Sequence, residues 1–438
     1  MDLQPSKHNI VGKLRDSNNG FIVNPLSGNA DILEPEKLQE FLSGRFTDTD
    51  ELAEKGYLVE PSREESAYRK AYLDFLDDRD QGEIQIFFVP TYACNFACSY
   101  CYQEGYDPAE PTAEAEVVDA FFSYIDTEFA GRRKYITVFG GEPLLPGPRS
   151  RKMVEQVIAG ANQRKLGLAF VTNGYTLTDY VPLLKTGIIR EIQVTLDGYG
   201  EFHDKRRMLK GGGPTFDVIA QGIDAALSAG LAVNLRTVVD KENLPGLPAL
   251  AVFARERGWT GNPLFKTQLG RNYELHTCQA NQSRLYDRVG LYEDLYQMIQ
   301  EHPEFLEYHR PAYSLSRFIW ENGELPDPLF DSCPGCKTEW AFDYTGRIYS
   351  CTATVGASGE ALGTFYPRVS LDRERVDQWE ERDVVTIPEC AACELRLACG
   401  GGCASVAKNK TGKVQSPDCR PVKELLSMGL SLYFEQTL

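Results

Sequence analysis

The sequence lacks the features that mark membrane and exported proteins. No apolar run approaches the roughly 20 residues that span a bilayer. Residues 1–16 also lack the apolar core of a signal peptide. We therefore expect a cytoplasmic protein that has no membrane partner.

Positive charge and histidine are scarce as well. The 438 residues carry 63 acidic and 46 basic side chains, which gives a formal net charge of −17, and no basic run is longer than three residues. Because phosphate backbones repel such a chain, we expect no nucleic-acid partner. The five histidines show no metal-ligand spacing, so no histidine metal site is predicted.

Cysteine is the informative exception, with twelve in the chain. A chain that stays inside the cell keeps its thiols reduced. Three cysteines lie within residues 94–101, eight lie after residue 332, and Cys278 stands alone. Clusters of this kind in a reducing compartment are typical of metal binding or catalysis rather than of disulfides.

The order of the predicted elements indicates an α/β protein. From residue 84 to 270, apolar runs of strand length alternate with helical patterns, which predicts βαβ units and a parallel sheet. Six such runs are too few for a closed eight-stranded barrel, so we expect a partial (β/α)6 barrel with its chemistry at the carboxyl ends of the strands. The runs span residues 84–91, 135–141, 168–174, 191–198, 232–240 and 263–270.

Two further units flank this barrel in the predicted division of the chain. Residues 1–80 read as a small α/β unit with a linking helix, either a capping unit or a peptide-binding one. The barrel is assigned to 81–275 and a helical linker to 276–330. Residues 331–438 are rich in cysteine and turns, and metal is expected to hold them because their apolar content is thin.

The first cysteine cluster follows the first predicted barrel strand. Cys94, Cys98 and Cys101 form a C-x3-C-x2-C segment with Tyr100 before the last cysteine. Three thiolates can hold three irons of a [4Fe–4S] cluster and leave the fourth iron open, which suits a cluster that activates a substrate. Zinc is the alternative, although a structural zinc site normally has four ligands.

The segment CNFACSYC resembles the cluster motif of radical S-adenosylmethionine (SAM) enzymes, and the resemblance continues along the barrel. VFGGEPLL resembles the family's GGEP stretch, while VTNG, VTLDG and NLRTVVDKEN resemble its third, fourth and fifth strand ends. The resemblance implies cofactor contacts at Tyr100, Gly140, Gly141, Glu142, Pro143, Thr172, Asn173, Thr195, Asp197 and Arg236.

The family resemblance also implies roles for these residues. The GGEP stretch and its glutamate would hold the methionyl amino group of SAM, Thr195 and Asp197 would face the ribose, and Arg236 would face the carboxylate. In this family an electron from the reduced cluster splits SAM, and the resulting 5′-deoxyadenosyl radical removes a hydrogen atom from the substrate. A reductant such as a flavodoxin or ferredoxin is implied. His203, Asp204 and Arg206 follow the fourth strand. They are interpreted either as substrate contacts or as solvated loop residues.

The C-terminal cysteines resemble the SPASM extension of radical SAM enzymes that modify peptides and proteins. A C-x9-G-x4-C element ends at Cys351, and C-x2-C-x5-C-x3-C spans residues 390–403. The resemblance implies two auxiliary [4Fe–4S] clusters, and therefore three clusters in the chain. Cys333, Cys336, Cys351 and Cys403 would hold the first auxiliary cluster, and Cys390, Cys393, Cys399 and Cys419 the second. A zinc ribbon is the alternative, although it would leave an odd remainder of thiols.

Cys278 belongs to neither set. A lone cysteine is most often a small buried hydrophobic residue. The alternative is a catalytic or redox thiol near the mouth of the barrel.

The resemblance implies a peptide or protein substrate. Our first hypothesis is a radical SAM maturase that abstracts a hydrogen atom from a ribosomally made precursor peptide and installs a cross-link or another side-chain modification. Residues 1–80 would bind the leader of that peptide, since an exposed strand edge can take up an extended chain. The precursor, the modified residue and the bond formed cannot be predicted from the sequence.

Two other functions are consistent with parts of the sequence. Sulfatase-maturating enzymes, which oxidise Cys or Ser to formylglycine, share the barrel and both auxiliary clusters. Their catalytic aspartate follows the cysteine of the G-x4-C element, where this chain has Thr352, which cannot act as a carboxylate base. A non-catalytic iron–sulfur electron carrier would explain the clusters but not the open iron site, the GGEP stretch or the barrel.

Overall fold

The computed structural model describes residues 3–103, 105–106, 113–272 and 282–434. Cys278, the lone cysteine and candidate catalytic thiol, lies outside the described residues.

The N-terminal residues form a small unit of two antiparallel sheets and three helices. Strands β2, β3 and β4 pair in that order, and β1 pairs with β5. The central strand β3 is buried along its whole length, and Ile22 packs there against Leu38, Leu52 and Tyr57. The bounds are β1 (Gln4–Pro5), β2 (Ile10–Lys13), β3 (Gly20–Asn24), β4 (Asn29–Leu33), α1 (Pro35–Ser43), α2 (Thr49–Glu54), β5 (Leu58–Val59) and α3 (Pro61–Gln81).

The next part of the chain alternates strands with helices. The inward faces of the helices are apolar at i, i+3 and i+4 spacing, as at Val154, Val157 and Ile158, so each helix packs on the sheet. The strands are β6 (Ile84–Val89), β7 (Phe96–Cys98), β8 (Lys134–Val138), β9 (Leu168–Thr172), β10 (Ile189–Thr195), β11 (Arg207–Leu209), β12 (Val233–Val239) and β13 (Phe265–Arg271). The helices are α4 (Ala115–Glu128), α5 (Pro148–Gln163), α6 (Leu177–Leu184), α7 (Glu201–Asp204), α8 (Phe216–Ser228) and α9 (Leu247–Glu256), with a 3₁₀ turn at Leu244–Gly246.

The six longer strands of this part are parallel and lie in the order β6-β8-β9-β10-β12-β13. Each corresponds to one of the six predicted runs, and the sheet does not close on itself among the described residues. The prediction of an α/β fold with an incomplete barrel is therefore confirmed.

The rest of the chain consists of a helical stretch and a unit with little regular structure. The helical stretch contains a 3₁₀ turn (Gln282–Arg284), α10 (Arg288–Glu301), α11 (Phe305–Tyr308) and α12 (Ser316–Asn322). The last unit contains β14 (Glu339–Asp343), β15 (Arg347–Tyr349), β16 (Gly363–Thr364), β17 (Ser370–Leu371), α13 (Arg373–Glu380), a 3₁₀ turn (Pro388–Cys390), α14 (Arg396–Cys399), α15 (Ala404–Thr411) and α16 (Val422–Phe434).

The last unit is built into the barrel sheet rather than attached beside it. Strand β14 pairs in parallel with β6, and β15, β16 and β17 continue the sheet to ten strands. The β6 edge of the six-stranded barrel is therefore covered. The sequence did not predict this pairing, and it leaves β13 as the terminal strand on the other side.

The N-terminal unit packs against the last helix of the chain. Ile10 and Phe21 share an apolar cluster with Leu426 and Leu430 of α16. A second contact joins α3 to the C-terminal unit, where Phe330 packs against Tyr68 and other aromatic rings. Of the helices that the structure describes, none is long and apolar enough to cross a membrane.

Candidate active site at the carboxyl ends of the parallel strands

A cavity of about 840 Å3 lies inside the parallel sheet. Because parallel strands all end at one edge, residues far apart in the sequence meet there. The predicted site residues that line the cavity are Cys94, Cys98, Tyr100, Cys101, Gly140, Gly141, Thr172, Asn173, Thr195 and Arg236. Glu142, Pro143 and Asp197 are buried and are not part of its lining.

The three cysteines of the first cluster lie on a loop that a short strand holds in place. Strand β7 ends at Cys98 and pairs antiparallel with β11. Burial raises the pKa of Cys94 to about 12, to which the nearby Glu142 contributes, and burial also raises the pKa of Cys98. Without a bound metal these two thiols are protonated at neutral pH, so metal binding must displace their protons.

Arg207 places a buried positive charge beside this loop. It lies directly opposite Cys98 in the β7–β11 ladder. Its Nη1 donates to the Tyr100 hydroxyl at 2.7 Å, whereas its Nε has no hydrogen-bond partner in the described part of the chain although the residue is only 8% exposed. An unpaired, buried cationic donor next to three thiols fits an anionic group bound there.

Tyr100 lies close to two arginines. The guanidinium of Arg206 lies 5.1 Å from the ring centroid and that of Arg207 lies 5.9 Å from it. Both distances are within the range of cation–π attraction. The ring is therefore fixed at the wall of the cavity, next to Cys101.

The GGEP segment closes over the cysteine loop through its backbone. Gly141 N donates to Thr91 O at 3.0 Å, and Glu142 N donates to Ala93 O at 2.8 Å. A Cβ atom on Gly141 would lie 2.2 Å from Ala93 O, and Gly140 has a φ of 143°. Only glycine allows this close approach, which leaves bare backbone at the cavity wall where a ligand can bind.

Glu142 fixes the end of the neighbouring strand. Its carboxylate accepts hydrogen bonds from Thr172 Oγ1 at 2.7 Å, Asn173 N at 2.6 Å and Leu144 N at 2.8 Å. Burial raises the pKa of this carboxyl group. In the structure the carboxylate ties the second strand end to the third, and the contact with the SAM amino group that the resemblance implies stays a prediction.

The side chains of two other predicted cofactor contacts, Asn173 and Arg236, differ in their hydrogen-bond partners. Asn173 Nδ2 donates to Asn95 Oδ1 at 2.8 Å, which orients the residue toward the cysteine loop. Arg236 lines the cavity, and although its backbone carbonyl accepts from Leu196 N, its side chain makes no hydrogen bond or ion pair with any other residue that the structure describes. Its guanidinium is therefore available to an anionic ligand in the cavity.

A buried ion network supports the fourth and fifth strand ends. Asp197 and Asp240 have no exposed surface, and Arg206 lies between them, with Nη1 2.8 Å from both Asp240 carboxylate oxygens and Nε 3.3 Å from Asp197 Oδ2. Asp197 also accepts from Val238 N at 3.0 Å. Asp197 is thus buried in this network and is not part of the cavity lining, and its contact with the ribose of SAM stays a prediction.

His203 and Asp204 also belong to the support rather than to a solvated loop. His203 Nδ1 accepts from Asp197 N at 3.1 Å, and burial lowers the pKa of the imidazole to about 3. Asp204 accepts from Thr215 N and Phe216 N at the start of α8. Neither interpretation of these residues from the sequence, substrate contact or solvated loop, matches this arrangement.

The C-terminal unit contributes a carboxyl group that the sequence did not predict. Glu339 and Thr352 line the same cavity as the first three cysteines. Glu339 Oε1 accepts from Thr352 N at 2.9 Å, and burial raises the pKa of the carboxyl group. No sequence signal pointed to Glu339, because its position depends on the pairing of β14 with β6.

The eight C-terminal cysteines fall into two neighbourhoods. Cys351 and Cys333 raise the pKa of Cys336, and Cys333 and Cys403 raise that of Cys351, in each case after the larger effect of burial. Likewise burial, followed by Cys399, Cys393 and Cys419, raises the pKa of Cys390 to about 11. These neighbourhoods have the same members as the two ligand sets that the resemblance implies, while ligation itself stays a prediction.

The donor set of the first site consists of thiols, which are the usual ligands of iron–sulfur clusters. In the described residues no group of three or more His, Cys, Asp or Glu side chains is arranged to hold a single metal ion. Three thiols, the unpaired Arg207 Nε and the bare backbone of Gly140 and Gly141 together fit a cluster with a carboxylate-bearing cofactor beside it.

Comparison with known sequences identifies the central part of the chain. Residues 88–253 match the model of the Radical SAM superfamily. A GTP 3′,8-cyclase of Campylobacter fetus is 32% identical over 177 residues, which is 38% of this chain and 51% of that protein. A probable GTP 3′,8-cyclase of Sulfurisphaera tokodaii is 26% identical over 257 residues, 56% of this chain and 74% of that protein. The chain thus spans about half the length of the first of these curated relatives.

Comparison with solved structures covers more of the chain. Native anSMEcpe with bound AdoMet and Cp18Cys peptide superposes with a TM-score of 0.62 at 16% identity, over 81% of this chain and 98% of that one. Streptococcus suis SuiB bound to the precursor peptide SuiA superposes with a TM-score of 0.53 at 13% identity, over 95% of this chain and 99% of that one. At these identities the likeness shows a shared fold.

Proposed function

Since this chain carries a radical SAM domain at residues 88–253, we propose that it is a radical SAM peptide maturase. It would abstract a hydrogen atom from a ribosomally made precursor peptide and install a cross-link or another side-chain modification. SuiB, which was solved with its precursor peptide SuiA, shares the fold over 95% of this chain. The match to the Campylobacter fetus cyclase covers only 38% of it. The wider match is the reason to prefer a peptide over GTP as substrate.

One observation carries the proposal: the C-terminal unit forms part of the active-site cavity. Strand β14 extends the sheet beside β6, so that Glu339 and Thr352 line the cavity that Cys94, Cys98 and Cys101 also line. Tyr102, from the cysteine loop, donates to Thr352 O at 3.4 Å. A substrate bound in the cavity would therefore contact both the barrel and the C-terminal unit.

The residues present also suit the cofactors of the proposal. Cys94, Cys98 and Cys101 would hold one [4Fe–4S] cluster, and the two C-terminal quartets would hold the auxiliary clusters. Arg236 would bind the carboxylate of SAM, and the backbone of Gly140 and Gly141 would contact its amino end. When bound, the cluster and SAM supply a radical that abstracts hydrogen, while the cavity keeps water away from it. A flavodoxin or ferredoxin would be the reductant, and the enzyme would work in the cytoplasm.

The N-terminal unit would bind the leader of the precursor. In the sheet β2-β3-β4, strand β4 is terminal, and Ile32 on it is 36% exposed. The other edge strand, β2, packs against α16, where Ile10 is fully buried. An extended leader would therefore add to the β4 edge through backbone hydrogen bonds, with Ile32 contacting its side chains.

The proposal is tested by co-expressing the chain with short reading frames encoded beside its gene. After co-expression with the parent chain, mass spectrometry of the modified peptide should show the loss of two hydrogen atoms for each new cross-link within it. After co-expression with the Cys98→Ala variant, the mass should be unchanged. If instead purified, iron-loaded protein converts GTP and leaves every neighbouring peptide unchanged, the peptide assignment is wrong.

The leader site is tested by a charge placed on the β4 edge. Ile32→Asp should weaken binding of a peptide identified in this way at least tenfold by fluorescence anisotropy, because a carboxylate would disrupt an apolar contact. Ile188→Asp is the matched control, since Ile188 is 51% exposed on the barrel, away from this sheet. Equal affinity of the Ile32 variant and the parent would rule out leader binding at this edge.

Formylglycine formation is the second candidate, and Glu339 favours it. The argument against it was that Thr352 occupies the position of the catalytic aspartate. In the structure a carboxylate nevertheless reaches that position, since Glu339 Oε1 lies 2.9 Å from Thr352 N. A peptide with a sulfatase-type cysteine, incubated with SAM and dithionite, should gain an aldehyde if this reading holds, and Glu339→Gln should abolish the gain.

A further inference from the structure

A second cavity, of about 670 Å3, lies between β13, α10 and the start of α16. We infer that this arginine-lined cavity binds an acidic, partly apolar segment of the peptide substrate and leads it along β13 into the active-site cavity. The inference rests on the proposed function, because it assigns the path of the same substrate.

The charge of the cavity is the first argument. Among the residues that the structure describes, its charged lining consists of Arg271, Arg288, Arg317 and Arg420, and no described Asp or Glu side chain lines it. The whole chain carries a net charge of −17, so an acidic peptide is repelled by most of the surface. A local group of arginines therefore attracts and orients such a peptide at this place.

The positions of three of these arginines are the second argument. Arg420, Arg271 and Arg288 all lie near the phenol of Tyr292, where each opposes the increase in pKa that burial causes. Arg288 is neutralised by the buried Asp418, behind the cavity wall. Arg420 has no ion pair with any residue that the structure describes. Its positive charge is therefore not balanced within the described part of the chain.

His309 adds no charge to the site. Burial lowers its pKa to about 4, with Arg317 acting in the same direction. The imidazole is therefore neutral at physiological pH, and the charge of the cavity comes from its arginines, of which Arg317 pairs with Glu321 at 3.5 Å.

The apolar part of the lining indicates a ligand with hydrophobic side chains as well as carboxylates. Leu291, Leu295, Leu315 and Leu425 face the same space. The volume lies within the range of specific ligand sites, which combine apolar walls with a few placed polar groups. A peptide in which acidic and apolar residues alternate presents both kinds of contact.

The connection between the two cavities is the third argument. Thr267 and Gln268 of β13 line both of them. In the described sheet β13 is the terminal strand, so its outer edge has backbone groups available for an added strand. A segment bound there would place its next residues in the cavity that contains the cysteine loop.

The test uses an eight-residue peptide of alternating glutamate and leucine, labelled with a fluorophore, and iron-loaded full-length protein under anaerobic conditions. The inference predicts binding at least tenfold tighter than for the same peptide with glutamine in place of glutamate. Binding should weaken as salt is raised. Arg271→Gln and Arg420→Gln should each weaken binding at least fivefold, whereas Arg69→Gln, a change at an exposed arginine on α3, should not.

Equal binding of the glutamate and glutamine peptides would overturn the inference. A second result would also overturn it. In that result Arg271→Gln, with the iron content of the parent, binds the peptide fully, and Arg420→Gln loses binding only in samples that have lost iron. In that case Arg420 serves the neighbouring Cys419 cluster site instead. Binding requires no turnover, so failure of the proposed function is seen separately, as an absence of 5′-deoxyadenosine from protein that still binds the acidic peptide.

Discussion

The buried charge network under the active site makes a strong prediction about stability. Arg206 lies between Asp197 and Asp240, and its side chain is 4% exposed while neither aspartate is exposed at all. Arg206→Met keeps most of the side-chain volume but removes the charge. Both carboxylates would then lack their main cationic partner inside the protein.

Removing one partner of a buried ion pair costs about 3–5 kcal/mol, because the remaining charge stays desolvated. Two features moderate the cost here. Arg284 Nε lies 3.9 Å from Asp240, and Asn272 Nδ2 donates to the same carboxylate at 2.9 Å. We therefore expect the lower part of that range, about 3 kcal/mol.

The effect should be concentrated in the strands that the network joins. Hydrogen exchange measured by mass spectrometry reports local opening, so it does not require the whole chain to unfold in one step. A loss of about 3 kcal/mol corresponds to exchange roughly a hundredfold faster in peptides that cover β10 and β12, at about 1.4 kcal/mol for each factor of ten.

Two comparisons make the result interpretable. Arg69→Met removes an arginine that is 75% exposed and pairs with Glu65 on the surface of α3, so it should change exchange less than about threefold. Adding Asp240→Asn to Arg206→Met removes one uncompensated charge and should restore part of the protection. Acceleration of less than tenfold in β10 and β12, or no recovery in the double variant, would refute the reasoning.

Three further predictions concern single side chains. Glu142→Gln should destabilise the protein by about 1–3 kcal/mol in urea unfolding, because its amide NH2 would face one of three N–H or O–H donors and leave a buried donor unpaired. Arg207→Gln should lower the reduction potential of the first cluster in an EPR titration, since the cation opposite Cys98 favours the more negative reduced state. Arg207→Lys, which keeps the charge, should lower the potential less. An unchanged potential in the Gln variant would contradict the assignment. Acidification from pH 7.5 to 5.5 should lower the free energy of unfolding by about 1 kcal/mol less in His309→Gln than in the parent. The reason is that the buried imidazole, with a pKa of about 4, stays neutral, while the imidazole of the unfolded chain, with a pKa of 6.5, takes up a proton. Equal losses of unfolding free energy would show that His309 is not the group responsible.

Much of the barrel could be predicted because its signal is local. Each of the six strands is an apolar run bounded by Gly or polar residues, and the structure contains a strand at every one of them. The ends differ by up to three residues, as for β8, which was predicted at 135–141 and is found at Lys134–Val138. The extra residues, Phe139 to Gly141, leave the strand to approach the cysteine loop.

The supporting interactions could not be predicted because they depend on pairing across the chain. Glu339 reaches the cavity only because β14 aligns with β6, and no periodicity indicates that alignment. The pairing of Arg207 with Cys98 depends in the same way on a three-residue ladder. Asp197 shows the reverse case, because a strand-end carboxylate has the same sequence pattern whether it faces a ligand or a buried arginine.

The cysteines were predictable to different degrees. Spacing alone separated the first triplet from the C-terminal group, and the family resemblance divided that group into two quartets. The structure brings the members of each quartet together, although Cys403 lies between Cys399 and Cys419 in the sequence. Spacing could not have assigned Cys403, since its position depends on how the chain crosses itself.

The central claim is that Cys94, Cys98 and Cys101 hold a cluster that cleaves SAM. The direct measurement is 5′-deoxyadenosine formed by anaerobically reconstituted protein with SAM and dithionite, quantified by liquid chromatography and mass spectrometry. The account predicts its formation by the parent chain and its absence in Cys98→Ala, with the C-terminal iron retained. Iron-loaded parent protein that forms none, or a first site that binds zinc instead of iron, would contradict the account.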